Sequence, residues 1–164
     1  MDAHGAPDPR GLTARGWQRA GALVRWIVPD EAAAAAAAPV APIARPEAIF
    51  AVAAAESSLR PWLTVQPLAA MLGIEVDHRF ASDQVGSLLA AVRAIDGPVV
   101  ICWRHHDMPG IAKHLCPALQ PAPTWDMDCF DQAWRFTPEG EGWAMDRIAQ
   151  RLLPGDAPAP PGLR

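Results

Sequence analysis

Between residues 12 and 28 the apolar positions Leu12, Ala20, Leu23, Val24 and Ile27 recur at helical spacing, with Thr13 placed as an N-cap. This predicts an amphipathic helix of about four turns. Residues 48–54 (AIFAVAA) form a short unbroken apolar run, the pattern of a strand covered on both faces, and hence of a parallel sheet. Residues 60–72 carry Leu63, Leu68, Met71 and Leu72 ahead of a capping Gly73, a helix that Pro67 should disturb unless it starts near Thr64. A short strand over 74–78 follows. Ser82 then caps a helix bearing Val85, Leu88, Leu89, Val92 and Ile95, which runs up to Asp96 and Gly97. Residues 98–103 (PVVICW) make a second strongly apolar strand, and Asp107 with Pro109 opens a helix that lasts to Leu115. Residues 130–136 and 143–148, joined by a turn, pair as an edge hairpin. Helix and strand alternate through most of the chain, which predicts a doubly wound α/β sheet with its site beyond the carboxyl ends of the strands.

The remaining segments read as connections. Residues 1–11 are proline, glycine and aspartate without period and read as a flexible arm or the tail of a loop. Residues 29–47 are a proline- and alanine-rich connection with one helical turn in its alanine run, and 156–164 are a proline-rich tail. The 164-residue length suits one domain, assigned to residues 1–155, and 51% apolar against 20% charged residues excludes a disordered chain. A formal charge of −4 removes the basic footprint of a nucleic-acid binder. No apolar run is long enough to span a bilayer, so no membrane partner is expected. Three cysteines without a CxxC pair point to a reducing, cytoplasmic setting. Of 14 basic side chains only Lys113 is a lysine, so each arginine needs its own argument.

Two strand ends carry groups suited to phosphate. Arg60 offers a planar fork of donors after the first strand. His105, followed by His106, stands just before a helix N-terminus whose N–H groups and dipole favour an anion. His78, His106, His114 and Asp107 show no metal-binding spacing, and no metal or cofactor is expected. The seven tryptophans are spread evenly and read as packing residues.

The wording of these segments adds to their chemistry. LTARGWQRAGAL (residues 12–23) resembles the LTxxGxxQA helix of the histidine phosphatase, or phosphoglycerate mutase-like, superfamily. RPWLT (60–64) resembles its RAxxT element, and VVICWRHHDMPGIAKHL (99–115) its second-histidine strand and helix, in the variant with Trp-Glu-His. Residues 125–136, ending FDQAWRF, resemble the closing segment, so the likeness runs from about Pro9 to about Gly155. The resemblance implies a three-layer α/β/α fold that handles a phosphorylated small molecule through a phosphohistidine. Carried over by motif, Arg60 and His105 bind the phosphoryl group and His105 is the second catalytic histidine. Arg104 stands where the family has an acidic or neutral residue and either adds charge or faces solvent, and Asp83 is the candidate general acid. A loose phosphoryl-transfer transition state needs such cations around its equatorial oxygens.

The departure is at the start. The family's first strand, ending Arg-His-Gly, should precede the helix at Leu12, yet His4 follows Ala3 with no apolar strand before it. The expectation is therefore a domain lacking its first strand and inactive as it stands, with a true start upstream of Met1. The alternative is a noncatalytic phosphate-binding or protein-interaction domain. Substrate choice would rest with residues 29–47 and 120–131, and oligomeric state is not legible.

Overall fold

The structure, a computed structural model, describes residues 8–29, 44–55, 58–140 and 142–156. The helical turn expected in the alanine run, most of the N-terminal arm with His4, and the end of the tail lie outside the described residues. The chain groups into two compact units, Met1–Trp103 and Arg104–Arg164, where the sequence treats residues 1–155 as one. Each unit has its own sheet.

In the first unit, α1 (Ala14–Ile27) begins at the expected cap, where Thr13 Oγ1 accepts the Gly16 N–H at 3.1 Å. It buries Ala20, Leu23 and Ile27, the face read from the periodicity. β1 (Ala48–Ala51) is shorter than its apolar run, although Val52 N–H still reaches Cys102 O. α2 (Arg60–Leu72) starts at Arg60, not near Thr64, because Pro61 in the first turn needs no amide donor there. Pro67 lies inside this helix and removes the N–H that would reach Leu63 O, at a cost of about 3 kcal/mol. Burial of Val65, Leu68 and Ala69 on its inner face offsets that loss. Gly73 ends α2 at φ +68°, a conformation that a side chain disfavours.

β2 (Val76–Asp77) is two residues long, and α3 (Val85–Arg93) follows. Ser82 does not cap α3, contrary to expectation. It sits in the preceding turn, Gln84 is the capping residue, and Gln84 Oε1 accepts from Ala81 N. The helix also stops at Ala94, before Gly97, whose φ of +143° leaves the helical region.

β3 (Val99–Cys102) completes a parallel sheet in the order β2-β1-β3. β1 is thus central and buried on both sides. Ile49 and Ala51 join Ile27 of α1, Val65, Leu68 and Ala69 of α2, and Val76 of β2 in one cluster. Phe50 points the other way, its ring 6.2 Å from that of Phe80.

In the second unit, α4 (Met108–Leu115) buries Ile111, Ala112 and Leu115. β4 (Gln132–Glu139) and β5 (Gly142–Ala149) pair antiparallel as the hairpin anticipated, each longer than its pattern suggested. Their described partners are each other, so they form a separate two-stranded sheet and not an added edge of the parallel one. Arg135 and Asp146, directly opposite, close a 2.8 Å ion pair on one face. Trp134 is buried on the other face, 5.1 Å from Trp125. Trp17, in contrast, is 46% exposed and is not a packing residue.

The chain is therefore a mixed α/β protein with a parallel sheet and an antiparallel hairpin. Among the described residues no helix is long and apolar enough to cross a membrane. Ile49→Ala removes side-chain volume from the doubly covered strand and is expected to lower unfolding free energy by about 3 kcal/mol. Met71→Ala, at a 65% exposed position, should change it by less than about 0.5 kcal/mol. Chemical denaturation of the two variants checks both values.

Candidate functional site

Arg60 is the first residue of α2 and follows the carboxyl end of β1. Its side chain is exposed but not loose. Nε donates to Gly11 O at 3.1 Å and Nη2 to Pro9 O at 2.7 Å, while its backbone N–H is taken by Ser58 Oγ. Between those two contacts, Leu59 N–H donates to Arg10 O at 2.9 Å. The start of α2 is laced to residues 9–11 by three consecutive carbonyls.

Those residues are a closed turn, more ordered than a flexible arm and in keeping with the end of a loop. Gly11 N–H returns to Asp8 O at 2.9 Å. The Asp8 carboxylate accepts from Arg10 N–H at 2.9 Å and pairs with the Arg10 guanidinium at 3.0 Å. Asp, Pro and Gly stand at the first, second and fourth positions of a type I turn, a signal the sequence carried and composition obscured.

Asp83 is exposed in the turn before α3, and no hydrogen bond or ion pair joins it to Arg60. The candidate acid and the candidate phosphate arginine are not brought into contact.

In the second unit, His105 is half-buried, its ring edge-on to His106 at 5.6 Å between centroids. His106 Nε2 lies 3.4 Å from Asp107 Oδ1. Arg104 is partly buried, and its Nε has no hydrogen-bond partner among the described residues. The free amides expected ahead of α4 are absent. Asp107 N–H bonds Arg104 O, Met108 N–H bonds His105 O, Pro109 has no N–H, and Gly110 N–H bonds Asp107 O. A tight turn has consumed the donors that an anion would need. The Asp107 carboxylate also stands at the cap position with one buried oxygen unpaired, so its charge opposes an anion there. Any phosphate contact from this segment rests on the side chains of His105 and Arg104.

A search of family models found no match to the chain, and a search of curated proteins found none.

A cavity of about 270 Å³ lined by Lys113, Cys116, Leu119 and Gln120 includes none of the four residues singled out from the sequence. All three cysteines are free thiols. Cys102 is half-buried and packs on the apolar cluster. Desolvation pushes its thiol up to about 12, and a Thr64 hydrogen bond pulls weakly the other way. Cys116 is buried and donates to Trp143 O at 3.0 Å, and burial raises its thiol as well. Among the described residues no group of histidine, cysteine and acidic side chains is placed to hold a metal ion.

The Arg10 side chain, through hydrogen bonding first, holds the Asp8 carboxyl below its ordinary value of 3.8. A lowered carboxyl keeps its contact above the ordinary value and loses it as pH falls through the depressed one. A carboxyl-carbon NMR titration should therefore place the Asp8 midpoint below 3.8, and Arg10→Ala should return it upward.

Proposed function

We propose that this chain is a phosphate-binding α/β protein of histidine phosphatase type, with Arg60 of the first unit as a phosphate ligand; His105, in the second unit, is a candidate by motif alone. The observation that carries this reading is the position of Arg60. In the order β2-β1-β3 the chain leaves β1 to one side for β2 and returns past it to β3, so strand order reverses at β1. Ligands of open parallel sheets bind outside the carboxyl ends of the strands at such a reversal. Arg60 opens the helix that follows β1 and presents a guanidinium, the side chain best matched to a phosphate. His105 comes three residues after the end of β3, the strand paired to β1.

A parallel sheet whose central strand is buried on both faces supports the three-layer arrangement of that superfamily, and the packing of α1 on α2 suits its LTxxG helix. In the catalytic form, a strand ahead of α1 would supply the nucleophilic imidazole. The phosphoryl group would pass from the substrate oxygen to that imidazole and then to water. The leaving oxygen would take a proton from an acid, for which Asp83 is the candidate, in a cytoplasmic setting. Arg60 would hold charge on the equatorial oxygens throughout.

A second reading, a noncatalytic phosphate-binding or protein-interaction domain, has its own support. No histidine stands between residue 8 and the start of α1, and no polar or charged residue is fully buried among the described ones. Binding of inorganic phosphate and release of phosphate from an aryl phosphate separate the two. The 164-residue chain is expected to bind phosphate without turnover. Turnover by this chain would favour the catalytic reading instead. Arg60→Ala and His105→Ala should each weaken phosphate binding about tenfold, the worth of one charge-assisted hydrogen bond. Unchanged binding in both variants, with circular dichroism showing both folded, would overturn the site assignment.

A further inference from the structure

The guanidinium of Arg60 has two ways of meeting an oxyanion with paired donors: side-on, through Nε and Nη2, or end-on, through Nη1 and Nη2. The turn at residues 8–11 occupies the side-on edge, with Gly11 O on Nε and Pro9 O on Nη2. Among the described residues none bonds Nη1, so none of them occupies the end-on edge. The contact spans about fifty residues of sequence and is reinforced by Leu59 N–H on Arg10 O. A long, rotamer-rich side chain at an exposed position is thereby held in one orientation before any ligand arrives.

We propose that the 8–11 turn is a positioning element for Arg60, aiming its end-on edge at phosphate, and that Asp8 is the positioning residue that keeps the turn closed. This rests on the reading of Arg60 as a phosphate ligand. Asp8 touches neither Arg60 nor phosphate in this account. It accepts from the Arg10 N–H, pairs with the Arg10 guanidinium, and through its own carbonyl holds Gly11 N–H, which sets where the carbonyls of Pro9 and Gly11 point. If the turn and phosphate used the same edge they would compete, and loosening the turn would tighten binding. With different edges, loosening the turn costs affinity.

The test uses the whole 164-residue chain, ¹⁵N-labelled, with inorganic phosphate as probe and the variants Asp8→Ala and Asp8→Asn. The asparagine keeps an acceptor for Arg10 N–H and removes the ion pair. The Arg60 Nε–H should exchange with water more slowly than that of Arg25, which is exposed. Asp8→Ala should abolish that protection and weaken phosphate binding at least about threefold, the order of one exposed ion pair, with Asp8→Asn between. Arg60 Nε–H exchange as fast as that of Arg25 in the wild-type chain overturns the inference. Phosphate binding that is unchanged or tighter in both variants overturns it equally. Failure of the wild-type chain to bind phosphate while its Nε–H stays protected is a separate signature. It removes the phosphate reading of Arg60, and the positioning role with it, while leaving the turn intact.

Discussion

Parallel pairing of β1 with β2 on one side and β3 on the other is the constraint on which the first unit depends. A four-residue strand has few hydrogen bonds with which to hold its place, so its register rests on side-chain burial. Ile49 and Ala51 enter the cluster built by α1 and α2, and Phe50 meets Phe80 on the opposite face. A slip by one residue would exchange these sets. After β1 the backbone is still tethered, through Val52 to Cys102 and through Ala53 to Phe80. These bonds fix where the chain leaves the sheet before α2 begins.

The beginning of α2 then collects contacts from distant sequence. Residues 58–60 receive the turn at 8–11 on one side and Ser58 on the other, so the arginine with the best claim to a ligand is also part of the scaffold. At α4 the contacts are local instead. Its leading amides are spent within the 104–111 turn and Asp107 puts an acidic group at its cap, which leaves side chains alone to meet an anion. In both segments the leading backbone donors are spent, at α2 on Arg10 O and Ser58 Oγ and at α4 within its own turn, so side chains are what is left to meet an anion.

Legibility in the sequence followed the range of the interaction responsible. The buried face of α1, its Thr13 cap, the Gly73 stop and the turn that joins the hairpin depend on neighbours within a few residues, and all were readable. Helix ends were harder. Pro67 was read as a breaker, but packing of Val65 and Leu68 against the sheet outweighs the one amide it removes. Ser82 was read as a cap, but Gln84 closes that turn with its own side chain. The 8–11 turn was hidden by a composition that resembles a loose arm, although Asp, Pro and Gly stand where a type I turn wants them.

Sequence alone sufficed for the mixed α/β character, because period and punctuation are properties of neighbouring residues. It also singled out Arg60 and His105 as candidates by residue type and context. What those groups are bonded to was decided by the folded chain. The carbonyls that hold Arg60 come from about fifty residues away, and the α4 amides are consumed by the exact path of a turn. Hydrogen-bond partners depend on where backbone atoms lie in space, and no local pattern encodes a contact between Pro9 and Arg60.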